Sequence, residues 1–210
     1  MQVADGWLQW AWWPLLAWIL WGAPWRWLLR NGNLNRLLVC AAVQFLIWQI
    51  RTDILGLNLH LLGATVMTLM FGWRLAILGG SLAIGLNLLR WHPPMAAAIT
   101  DAWVTVVLPV AVSYLLARGV ERCLPRNFFI YVYASAFLGG ALSMLAMGTA
   151  TVLLLPTAVP YGDEWFARLM PYVLMMFGEA FVSGALITLM VAYRPSWVAS
   201  FDDRRYLAGR

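Results

Sequence analysis

Apolar runs punctuated by arginine, proline and glycine occupy almost the whole chain, and this feature restricts the possible folds more than any other. Bounding each run by its flanking charges or breakers gives about seven candidate helices, at 7–23, 35–50, 54–73, 75–90, 102–117, 127–155 and 171–193. Such runs approach the ~20 residues a helix needs to cross the hydrocarbon core of a bilayer. Hydrophobic residues make up 63% of the 210 and charged residues only 11%, too few polar side chains to cover a soluble domain. The expected fold is therefore all-α, a polytopic membrane helix bundle that forms a single integral membrane domain over 1–210. The lipid bilayer is its first partner. No internal repeat, low-complexity linker or soluble domain interrupts it.

Two of the seven segments fit less well. Segment 54–73 contains Asn58 and His60, so it either spans fully or enters the bundle and returns. Segment 75–90 lies between Arg74 and Arg90 and is close to the lower limit for a span unless both arginines reach towards the interfaces.

The arginines offer a separate test, because cytoplasmic loops carry the excess of positive charge. All 14 basic residues are arginine and they flank apolar runs instead of forming a patch, so the net charge of +5 does not point to nucleic acid. With the N-terminus outside, the inner side holds Arg26, Arg30, Arg36, Arg74, Arg118, Arg122, Arg126, Arg194, Arg204, Arg205 and Arg210. The outer side keeps Arg51, Arg90 and Arg168. This asymmetry predicts an N-out, C-in topology. The opening "MQVADGW" carries an acid and no base, unlike the start of a secretory signal peptide, and is expected to be retained.

The side chains exclude several kinds of chemistry. Cys40 and Cys123 form no CxxC pair and have no neighbouring histidine, so neither zinc nor redox chemistry is implied. HExxH and GxSxG motifs are missing, which argues against a hydrolase, and no Gly-rich phosphate loop occurs, so energy for transport has to come from another chain. The 14 tryptophans, eight of them between Trp7 and Trp27, fit an interfacial belt and lipid-facing bulk. Small residues at Ser81, Gly85, Gly139, Gly140 and Ser143 would let helices approach closely.

Few groups remain that could carry function. Glu179, in "FGEAFVSGALIT", is an ionisable residue inside the last apolar run and is expected to face the bundle interior, with Gly178 and Gly184 permitting a close contact. Its role is either that of a functional group or that of a neutral acid pinning two helices, and in the second case an amide should replace it without loss of fold. Gln2, Asp5, Gln44, Gln49, Asp53, Asn58, His60, His92 and Asp101 fall mostly near the outer ends of helices. Asp53 could pair with Arg51 or Arg90. His92, followed by two prolines, reads as a loop residue and at most a secondary ligand. For His60 two readings stand: a metal ligand, or a polar clamp between the N-terminal segment and the bundle.

Several of these stretches together resemble the CbiM-like family, the cobalt and nickel substrate-capture membrane subunits of energy-coupling-factor transporters. "MQVADGWL" is similar to that family's start, with Met1, Gly6 and Leu8 matching, and "HLLGATVMTLMFG" to its His-Leu-Leu-Gly helix. "FGEAFVSGALIT" resembles its Gly-Glu-Ala segment, and "AAAITDAWVTVVLPVAVSYLL" its Asn-containing helix in spacing, though without the asparagines. The end, "YRPSWVASFDDRRYL", resembles a subgroup of small bacterial membrane proteins with the same fold. The resemblance implies a multi-pass protein of the bacterial inner membrane that captures Co²⁺ or Ni²⁺ as transported substrate, with separate ATPase and coupling membrane subunits and no tightly bound cofactor. It also implies a metal site built from the Met1 amine, the second residue and the His-Leu-Leu-Gly histidine, here Met1, Gln2 and His60. Gln2 departs from the pattern, since the family has an imidazole there and an amide is a poor ligand for late transition metals. A solitary protein of this fold with another small ligand, and a non-transporting scaffold, are the alternative functions.

Overall fold

The computed structural model describes residues 4–30, 32–54, 57–125, 127–154 and 165–202. Among these, helices α1 (Ala4–Gly22) and α2 (Asn33–Gln49) are followed by a small antiparallel hairpin, β1 (Thr52–Ile54) and β2 (Leu57–Leu59), in which Thr52 pairs with Leu59 and Ile54 with Leu57. Then come α3 (Ala64–Phe71), α4 (Trp73–Trp91), α5 (Met95–Cys123), α6 (Phe128–Leu154) and α7 (Trp165–Tyr193). The last three are long and apolar enough to cross a membrane.

The main departure from expectation is segment 54–73, which is not one helix. Its helical part, α3, has only eight residues, about 12 Å at 1.5 Å per residue, and all eight are buried. Glycines set its limits: Gly63 at φ 67° and Gly72 at φ 79° lie in the left-handed region, where any side chain would be strained. The segment nevertheless traverses the bundle. It starts from the end of α2, where Gln49 Nε2 donates to Asn87 Oδ1 of α4 at 2.9 Å and Trp91 Nε1 donates to Gln49 Oε1 at 3.1 Å. It finishes at the opposite end, where Arg74 donates through Nη1 to the Gly22 carbonyl and lies over the rings of Trp18 and Trp73. The hairpin, the loop 60–63 and α3 together therefore form one interrupted crossing.

Other boundaries move outward for local reasons. Helix α4 takes in both Arg74 and Arg90, each stacked over tryptophan, so their stems stay in the helix while the charges are met by aromatic faces. Helix α5 begins behind Pro94 and runs through Pro109, helped by a π-helical turn at Ala102–Val107 that loosens the bonding ahead of the proline. Helix α7 starts upstream of Pro171, which it carries inside.

The bundle is closed by small residues and by hydroxyls that satisfy one another. A Cβ on Gly140 of α6 would sit 2.9 Å from the Glu179 carbonyl oxygen, so only glycine lets the two backbones meet there. Thr65 of α3, Ser113 of α5 and Ser143 of α6 are buried in a mutually bonded trio, with 2.7 Å between Thr65 and Ser113 and 2.6 Å between Ser113 and Ser143. Beyond α7 the chain turns through Pro195–Trp197 and returns to α3. There Ala199 N donates to Met70 O at 3.1 Å, while Ser200 donates to Leu69 O from its N (3.1 Å) and its Oγ (2.8 Å). These bonds supply donors to carbonyls that an ending helix leaves unpaired. Val198 and Phe201 are buried, and the Phe201 ring lies 5.1 Å from that of Tyr131, whose hydroxyl meets Ser200 Oγ at 2.7 Å.

Candidate functional site

The start of α3 is where the polar groups converge. A helix begins with N–H groups that have no partner within it and a positive dipole end, so a buried start needs an acceptor, preferably an anion. Glu179 supplies it from α7. Its Oε2 accepts from Leu62 N at 2.7 Å, its Oε1 from Gly63 N at 2.9 Å, and Ser183 Oγ donates to Oε1 at 3.3 Å. Glu179 is 1% exposed, and each of its oxygens has a donor, which is the condition under which a carboxylate can be buried. Ser183 follows by one helical turn and was not among the residues that stood out in the sequence, because serine at this spacing also reads as helix packing.

The other side of the same peptide is held by α2. Gln44 Nε2 donates to Leu62 O at 2.8 Å, and a carbonyl accepts only, so the amide orientation of Gln44 is fixed. One turn further along α2, the Trp48 ring lies 5.4 Å from the His60 ring at 50°. His60 is partly buried, two residues before Leu62. Its Nδ1 is 3.2 Å from Leu61 O, and a carbonyl accepts only, so Nδ1 carries the proton and Nε2 keeps its lone pair. The sequence marks Gln44 as polar, but nothing in it joins Gln44 or Trp48 to His60.

The remaining candidates lie elsewhere or outside the described residues. Met1 and Gln2 lie outside them, as do the side chains of Asp5, Asp53 and Asn58. His92 ends α4 in a left-handed conformation at φ 49° and is exposed, with no hydrogen bond or ring contact to His60 among the described residues. Asp101 lies exposed on α5. Arg51 and Arg90, the partners considered for Asp53, both lie over the Trp91 ring, at 4.9 and 5.1 Å. Among the described residues no group of three or more His, Cys, Asp or Glu side chains could hold a metal ion.

The model of the cobalt uptake substrate-specific transmembrane region, CbiM, matches residues 2–197. The chain belongs to the CbiM family. No curated protein matches it. Two solved structures share its fold: a truncated transition metal transporter, 19% identical with a TM-score of 0.68, covering 90% of this chain and 94% of that one; and a transition metal transporter, also 19% identical, with a TM-score of 0.69, covering 90% and 88%. Membership of the family makes this CbiM-family chain a membrane-embedded transport protein and not an enzyme.

Proposed function

We propose that the chain is the substrate-binding membrane subunit for uptake of a divalent transition metal of the cobalt or nickel class. It works with separate ATPase and coupling subunits in a bacterial inner membrane. Family membership supports this reading, and the observation that carries it to a site is His60, its Nε2 without a hydrogen-bond partner among the described residues and at the head of a crossing broken inside the bundle. Membrane transporters commonly place substrate where a helix is interrupted. In this reading the Met1 amine and the backbone nitrogen of Gln2 complete a nitrogen donor set with His60, a set suited to Ni²⁺ and Co²⁺. Gln2 also gives weight to a second reading, the same fold with another small ligand, because it removes an imidazole from that set.

Titration of the purified, untagged protein with Co²⁺ and Ni²⁺ beside a Gln2→His variant tests it. Wild type should bind, and Gln2→His should bind about 10- to 100-fold more tightly, the range over which changes around a metal site act. Binding by neither would discard metal uptake in favour of a non-transporting scaffold. The arginine asymmetry supports an N-out, C-in orientation, for which a single cysteine at Arg122→Cys in a cysteine-free background should be labelled from the cytoplasmic side. Strong labelling from outside would reverse the topology.

A further inference from the structure

Two polar atoms of α2, both beside the loop that carries His60, are buried and have no partner among the described residues. Gln44 and Trp48 are each 5% exposed, and neither Gln44 Oε1 nor Trp48 Nε1 has a hydrogen-bond partner there. They stand one helical turn apart on the same face. The positions are not accidents of rotamer: Gln44 is held by its Nε2 bond to Leu62 O, which turns Oε1 away, and Trp48 is held against the imidazole. A buried acceptor and a buried donor left without partners destabilise the empty protein, and native structures rarely keep such a pair without a use for it.

We propose that Gln44 Oε1 and Trp48 Nε1 bind a water molecule carried by the cation that His60 ligates. The inference rests on the metal reading above and adds the form in which the cargo is recognised, an aquo ion instead of a bare one. A water on a divalent cation is a strong donor, so its proton goes to the Gln44 carbonyl oxygen. Its oxygen keeps a lone pair to accept from the Trp48 N–H. The pair thus recognises the coordination shell, while the imidazole holds the ion. Divalent cations that keep a water while bound to an imidazole, as Ni²⁺ and Co²⁺ can, fit it.

Trp48→Phe is the test, because it keeps an aromatic ring against His60 and removes the N–H, together with part of the buried indole. Thermal unfolding of the metal-free variant and Co²⁺ titration are measured beside wild type and His60→Ala, in a buffer that does not coordinate metal. The expected result is a metal-free variant that still unfolds cooperatively, its unfolding temperature lowered by no more than the lost ring volume accounts for, with Co²⁺ binding weakened about five- to tenfold, the worth of one hydrogen bond. Unchanged Co²⁺ affinity overturns the proposal and leaves the metal reading intact. Absence of Co²⁺ binding by wild type overturns both.

Discussion

Glu179→Leu is expected to lower stability by about 3–5 kcal/mol, enough to bring a membrane domain close to unfolding in detergent. The variant leaves Leu62 N–H and Gly63 N–H buried at the start of α3 without an acceptor, and each such group costs about 1–3 kcal/mol. It also removes the carboxyl oxygens that face the positive end of that helix. Thermal unfolding in detergent is the measurement, and a leucine variant as stable as wild type would mean that the two N–H groups find other partners. The amide is expected to rescue the site only in part. Leu62 N and Gly63 N each address a different oxygen, so Glu179→Gln has to present an NH₂ group to one of them and should cost about 1–3 kcal/mol.

Loss of metal binding is the second large effect. His60→Ala removes the imidazole whose tautomer is set by Leu61 O and should weaken Co²⁺ binding by at least about 100-fold, since groups merely supporting a ligand are worth 10- to 100-fold. A tag placed before Met1 should do the same by displacing the α-amine. His92→Ala should have little effect, because His92 is exposed at the end of α4. Calorimetric titration separates these outcomes, and binding that survives His60→Ala while the protein remains folded would keep transport but discard this site.

Most of the helical framework was legible because lipid-facing and core-facing residues are both apolar, and the runs end at arginines that the bilayer does not tolerate. The interrupted crossing was legible only as a weakness. Asn58 and His60 marked 54–73 as unusual, yet the helix break depends on Gly63 and Gly72 adopting positive φ, and a glycine in an apolar run reads equally as a packing contact. Gly85 shows the ambiguity, since a Cβ there would meet nothing within 4 Å, whereas one on Gly140 would strike the backbone of α7. The role of Glu179 was open for a related reason. Sequence places it in an apolar helix, but its partners are main-chain N–H groups more than a hundred residues away, and no side-chain motif encodes them. Trp48 was hidden by abundance: among 14 tryptophans, the one beside His60 looks like the rest of the belt.

The returning C-terminal segment makes α3 and α7 a closed frame. Glu179 grips one end of α3, and Ala199 and Ser200, a few residues past the end of α7, grip the other. A strut about 12 Å long is thus pinned at both ends to a single stretch of chain. Such a strut cannot slide or tilt against α7 without breaking bonds at one of its two anchors. The peptide that carries Leu62, next to His60, is thereby fixed to the last helix directly and, through α3, to residues 199–200 as well.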